Sequence, residues 1–121
     1  MKSFIFKIKN DNWDINLYAK FEGDLLLELY FTEEKDMLIP KEYSSFVTRI
    51  NNYFLGNDDL KDVKVKLVGT PFQILAWEAL MAIPYGKVIS YKEQANLSGR
   101  EKSHRAIANA NGKNKISIIV P

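Results

Sequence analysis

Gly69-Thr70-Pro71-Phe72-Gln73 is the point at which the sequence changes character. Thr70 and Gln73 stand three apart, so the hydroxyl of one and the amide of the other can satisfy each other's exposed backbone N–H groups. Pro71 sits between them at the first helical position. This capping box predicts a helix from Pro71 to about Met81. Downstream, Ser90-Tyr91-Lys92-Glu93 repeats the box and predicts a second helix that ends before Gly99. Ser98-Gly99-Arg100-Glu101 allows a third start, leading into His104-Arg105-Ala106-Ile107-Ala108-Asn109-Ala110. Two short helices joined by a tight glycine-containing turn describe a helix-turn-helix. The final run, Ile116-Ser117-Ile118-Ile119-Val120-Pro121, reads as an apolar strand or extended segment.

Upstream of Gly69 the pattern is that of strands. Phe4–Lys9, Ile15–Lys20 and Leu25–Phe31 are apolar runs separated by Asn10-Asp11-Asn12 and Glu22-Gly23-Asp24, which predicts an antiparallel meander. Glu42 to Leu55 places Phe46, Ile50, Tyr53 and Phe54 at helical spacing and stops at Gly56. The alternation Val63-Lys64-Val65-Lys66-Leu67 suggests a last strand. The expected organisation is α+β: a lobe at residues 1–68 with a helix over one face of a sheet, then a helical domain at residues 69–121.

Composition narrows the function. The 121 residues include no cysteine and one histidine, His104, which excludes disulfides and thiolate metal sites and leaves neither a metal cluster nor a cofactor expected. The N-terminal Met1–Lys9 interrupts its apolar residues with lysines, unlike a signal peptide or membrane span, and points to the cytoplasm. Charge is unevenly placed: residues 1–68 carry 10 Lys/Arg against 12 Asp/Glu, and residues 69–121 carry 7 against 3. A basic second half suits a polyanionic partner. Arg100, Lys102, Arg105, Lys113 and Lys115 flank the expected reading helix, placed to meet phosphates, and Ala106, Ala108 and Ala110 would let the helix approach closely, leaving Arg105 projecting furthest. A solvated helical face is the competing reading. Tyr91 is either a phenol exposed beside that helix or a packing aromatic. Trp77 belongs to the core, and His104 to the surface or to a phosphate contact.

Gly69-Thr70-Pro71-Phe72-Gln73, Trp77, Ile83-Pro84-Tyr85-Gly86-Lys87-Val88-Ile89-Ser90-Tyr91, Arg105-Ala106-Ile107, Asn114 and Ile118-Ile119-Val120-Pro121 together, in this order, resemble the methylated-DNA-protein-cysteine methyltransferases. The resemblance implies a ribonuclease-H-like N-terminal lobe and a winged-helix-like DNA-binding domain. It implies a monomeric repair protein that binds double-stranded DNA through the minor groove, flips a guanine alkylated on its exocyclic oxygen, and moves the alkyl group onto a cysteine. By the same resemblance Arg105 fills the vacated base stack. Tyr91 crowds the 3′ phosphate and protonates the leaving guanine, and Asn114 shapes the turn of the nucleophile. Phe72, Lys92 and Arg100 fall at DNA-contact positions, and His104 beside them is expected to contact the DNA as well. Glu101, Ala108 and His104 depart from the family pattern, which often has proline, glycine and a small residue there.

The family's segment matching Ile118–Pro121 continues into Cys-His-Arg. On that basis the 121 residues are expected to be catalytically dead, because displacement at carbon needs a strong, polarisable nucleophile. Loss of the closing helix that follows would expose an apolar patch. A UGA codon read as selenocysteine, or a nonsense mutation, would explain a break at that position. Two other functions stand beside repair by alkyl transfer: a non-enzymatic alkyltransferase-like lesion-binding protein, and a helix-turn-helix regulator with a ligand-binding front lobe.

Overall fold

The computed structural model describes residues 1–83, 91–97 and 104–120, without the side chains of Tyr91, Lys92 and His104. The chain is α+β and divides into two compact units, Met1–Lys66 and Leu67–Pro121.

In the first unit, β1 (Lys2–Lys9), β2 (Asp14–Glu22) and β3 (Leu25–Thr32) form an antiparallel sheet in the order β1-β2-β3. Strand alternation turns Phe4, Phe6 and Ile8 of β1 and Leu17, Ala19 and Phe21 of β2 toward one buried face. On β3 the buried residues are Leu26 and Leu29, three apart, which a regular strand would place on opposite faces. A bulge resolves this: Phe21 pairs with Leu26 and Lys20 with Glu28, so Leu27 is the extra residue and both leucines face the core. The hairpin between β2 and β3 turns through Gly23, at φ +60°.

A 3-10 turn, Lys41–Tyr43, leads into α1 (Ser44–Phe54), so the helix predicted from Glu42 begins more tightly wound. Phe46, Val47 and Ile50 are its buried residues, and Tyr53 and Phe54 are half-buried. The helix is fastened to the sheet by aromatic rings. Phe21 stacks on Tyr43 at 4.3 Å between centroids and meets Phe46 edge-on at 4.9 Å. The Tyr43 hydroxyl donates to the Gly23 carbonyl at 2.8 Å, tying the helix start to the hairpin.

The strand expected at Val63–Leu67 does not form. Only Val65 bridges, in parallel, to Leu26, with Leu26 N–H donating to the Lys64 carbonyl at 3.0 Å and Lys66 N–H to the Leu26 carbonyl at 2.9 Å. Leu26 lies at the bulge, where β3 bends, so the ladder cannot continue along it. Arg49 of α1 instead holds the segment leading there. Its guanidinium donates to both carboxylate oxygens of Asp58, at 2.8 and 2.9 Å, and to Asp62 at 2.6 Å. Asp58 also accepts the Leu60 N–H at 2.8 Å, holding Leu60 in the left-handed region at φ +59° with its side chain buried.

Arg49 and then the Leu60 N–H lower the Asp58 pKa from the ordinary 3.8 to about 2, and Arg49 lowers that of Asp62 in the same direction. Because the folded form favours the ionised carboxylate, the stabilisation is complete above the unfolded pKa and is lost as pH falls from about 4 toward 2. Trp13, packed edge-on against Phe54 at 5.1 Å, reports on this unit. We expect Trp13 fluorescence melts to fall steeply between pH 4 and pH 2, and Asp58→Asn to flatten that slope while lowering the neutral-pH melting temperature; parallel slopes would remove the pair from the acid response.

In the second unit, α2 (Pro71–Met81), α3 (Tyr91–Leu97) and α4 (His104–Asn111) pack together. The box that opens α2 is present: Thr70 Oγ1 accepts from Gln73 N–H at 3.1 Å, and Gln73 Oε1 accepts from Thr70 N–H at 3.0 Å. Gly69 precedes it because nothing larger fits. A Cβ there would lie 2.8 Å from ring carbons of Trp77 and 2.6 Å from Gln73 Oε1. The boxes expected at Ser90 and Ser98 lie outside the described residues. No helix among the described residues is long and apolar enough to cross a membrane.

Candidate nucleic-acid interface

Helix α4 has two unlike sides. Ile107 and Ala110 are buried and form a cluster with Ala76 of α2 and Ala95 of α3, while Arg105, Ala106 and Asn109 are exposed and Ala108 is half-buried. The three alanines therefore do not share one outward face, as their spacing suggested. Ala110 is part of the core, stacked three residues beyond buried Ile107. Arg105 projects outward from the first turn, and Lys113 and Lys115 beyond the helix are also exposed. This places positive charge along the described end of the unit.

Behind that surface, α4 is anchored by polar groups as well as apolar ones. The Trp77 Nε1–H donates to the Ala110 carbonyl at 2.9 Å, so the expected core tryptophan also ties α2 to α4. Gln94 of α3 is 1 % exposed. Its Nε2 donates to the Ala76 carbonyl at 2.8 Å and to Asn111 Oδ1 at 2.8 Å, while Asn111 Nδ2 donates back to Gln94 Oε1 at 2.7 Å. One carboxamide thus touches all three helices, and a reciprocal amide pair fixes how α4 presents Arg105. Sequence reading missed both residues. Gln94 stands in a mixed polar run, and Asn111 before Gly112 resembles an ordinary helix end.

Beyond α4 the chain does not extend as a strand. Asn114 Nδ2 donates to the Val120 carbonyl at 2.6 Å, and Asn114 Oδ1 accepts the Ile116 N–H at 2.8 Å. With Val120 N–H donating to the Ile116 carbonyl at 3.1 Å, these bonds fold residues 114–120 into a closed turn. The side-chain amide satisfies the Ile116 N–H and the Val120 carbonyl locally. Ile118 lies inside the turn at φ +76°, a left-handed conformation that costs a β-branched residue on the order of 1–2 kcal/mol. Ile116 and Val120 are buried at its two ends.

Of the residues singled out from sequence, Arg105 and Asn114 stand as just described. Phe72 is half-buried and packs on the Ala76–Ala95–Ile107–Ala110 cluster, so its ring supports α4 from behind. Tyr91 and Lys92 open α3, and His104 opens α4; their side chains are not among those described. Arg100 lies outside the described residues.

Residues 71–121 match the DNA-binding domain of 6-O-methylguanine DNA methyltransferase. The methylated-DNA–protein-cysteine methyltransferase of Mycobacterium bovis is 45 % identical over 82 residues, which are 68 % of this chain and 50 % of that protein. The Salmonella typhimurium protein of the same name is 45 % identical over 74 residues, 60 % of this chain and 43 % of its own length. The chain spans about half the length of such relatives. Among solved structures, Mycobacterium tuberculosis OGT in complex with DNA superposes with a TM-score of 0.78 at 38 % identity, covering 88 % of this chain and 68 % of that one. The O6-methylguanine methyltransferase of the same organism superposes with a TM-score of 0.80 at 34 % identity, covering 99 % and 76 %. These likenesses run through both units in sequence and in fold, and the chain belongs to the methylated-DNA–protein-cysteine methyltransferase family.

Proposed function

We propose that this chain recognises 6-O-alkylguanine in double-stranded DNA, through the minor groove, as the binding half of a direct-reversal repair reaction in the cytoplasm. The observation that carries the reading is the construction of α4: Arg105 faces outward from a helix whose other side is bolted down by Ile107, Ala110 and the Gln94–Asn111 pair. Extruding a base costs a few kcal/mol, and a side chain that enters the gap from a rigid support offsets part of that cost. In this reading residues 1–68 and 69–121 are two domains, with α3 and α4 forming a helix-turn-helix. Tyr91, Lys92, Arg100 and His104 contact the DNA, and Phe72 sits at its edge. The protein acts as a monomer and needs no cofactor.

The chemistry is a displacement at the alkyl carbon. The bond from that carbon to the guanine oxygen breaks, its electron pair remains on the guanine, and the Tyr91 phenol supplies the proton that the leaving base takes up. The new bond forms to the sulfur or selenium of a residue that is not among these 121, which contain no cysteine. Asn114 sets the turn that leads toward that acceptor.

Gel shifts with 6-O-methylguanine and plain duplexes test the reading. A polypeptide of these 121 residues is expected to prefer the lesion duplex and to take up no label from a radiolabelled methyl group. Arg105→Ala is expected to weaken lesion binding about tenfold, as loss of a stack-filling, charge-bearing contact should, and Tyr91→Ala to weaken it as well. Unchanged binding by both variants would refute the assignment of these two residues.

A further inference from the structure

We infer that Asn109 reads the minor-groove edge of a base pair beside the lesion and so sets which flanking sequences the protein favours; this rests on the reading of α4 given above. Asn109 is exposed and lies one helical turn beyond Arg105. Four residues of α-helix advance about 6 Å, and successive bases on one strand are about 3.4 Å apart. With Arg105 in the vacated stack, Asn109 therefore stands over the pair one or two steps away.

An asparagine side chain is short and reads a base only if its helix comes close. Ala106 before it and Gly112 after it, both exposed, leave that approach open. Its neighbour of the same type makes the contrast. Asn111 turns inward, and its amide is consumed by Gln94, whereas among the described residues no hydrogen bond holds the Asn109 carboxamide. The chemistry also fits. The minor groove offers the acceptors adenine N3 and thymine O2, and at G·C pairs the guanine 2-amino donor; a carboxamide can answer either, and asparagine is among the side chains that read this groove. The exposed cations nearby, Arg105 and Lys113, favour phosphate or the stack and carry less sequence information.

The experiment uses the full chain and 6-O-methylguanine duplexes in which each neighbouring pair is in turn A·T, G·C or inosine·C. Inosine removes only the 2-amino group from the minor groove and leaves the major-groove edge intact. Fluorescence anisotropy gives the Kd for each duplex. Asn109→Ala is expected to weaken binding about fivefold and to level the flank profile. Asn109→Asp, which keeps the acceptor and loses the donor, is expected to favour G·C over inosine·C about fivefold at one flank. A flank profile for Asn109→Ala that superimposes on the parent's, with no G·C preference gained by Asn109→Asp, would overturn the inference while leaving the lesion reading intact, provided Arg105→Ala still weakens binding. Equal binding of lesion and plain duplexes by the parent, with Arg105→Ala inert, would overturn both. Asn109 is exposed, so thermal melts of the two variants should match the parent and exclude unfolding as the cause.

Discussion

Gln94→Ala is expected to destabilise the second unit by about 2–4 kcal/mol. The substitution strips the half-buried Asn111 carboxamide of its partner at both oxygen and nitrogen, at about 1–3 kcal/mol, removes a second donor from the Ala76 carbonyl, and opens a void among closely packed helices. Gln94→Leu fills the void but leaves the Asn111 carboxamide unmet, so it should recover little. Pairing it with Asn111→Leu removes one orphan along with its partner and should recover more than half of the loss. Urea unfolding followed by Trp77 fluorescence, in a Trp13→Phe background, reads the second unit alone because these are the only two tryptophans. If Gln94→Ala moved the midpoint no more than an exposed substitution such as Asn109→Ala, the amide pair would contribute nothing that the alanine cluster does not already supply.

The second large effect falls at Asn114. Replacing it by alanine removes two hydrogen bonds that close the 114–120 turn and frees a left-handed Ile118 to relax, with an expected loss of about 2 kcal/mol of local stability. The direct readout is amide hydrogen exchange. Ile116 N–H, now bonded to Asn114 Oδ1, and Val120 N–H, now bonded to the Ile116 carbonyl, should lose protection together while amides of α2 keep theirs. Asn114→Asp separates the two roles: it preserves an acceptor for Ile116 but sets a carboxylate against the Val120 carbonyl at neutral pH. It should therefore release Val120 more than Ile116. Unaltered Ile116 protection in Asn114→Ala would show that the turn is held from elsewhere.

Much of the fold was legible because local chemistry and tertiary structure agree. Thr70, Pro71 and Gln73 dictate a helix start regardless of what surrounds it, and α2 runs over the predicted Pro71–Met81. The three N-terminal strands follow from alternation interrupted by turn residues. The failures share a cause. Whether Val63–Leu67 becomes a strand depends on how much straight edge β3 offers, and the Leu27 bulge that limits it is visible only once Leu26 and Leu29 are known to face the same way. Whether Ile116–Val120 extends or folds depends on an asparagine side chain outcompeting a backbone partner. The candidate site was partly legible. Arg105 and Asn114 are named by their setting in an ordered set of residues, whereas Gln94 and Asn111 act only through one another, across 17 residues of chain. No local pattern encodes such a pair.

The alanine-built centre of the second unit has one more consequence, and it concerns temperature. Ala76, Ala95 and Ala110 bury little apolar area for the order they impose, and the helices they join are held by Ile107 and Phe72 together with carboxamide and indole hydrogen bonds. The first unit is the opposite case, a sheet and helix closed over Phe4, Phe6, Phe21 and Phe46. Apolar burial is what gives unfolding its large positive heat-capacity change, and it is the contribution that fades on cooling. The two halves of one chain are therefore expected to differ in the curvature of their stability profiles, the aromatic half losing more of its apolar contribution on chilling.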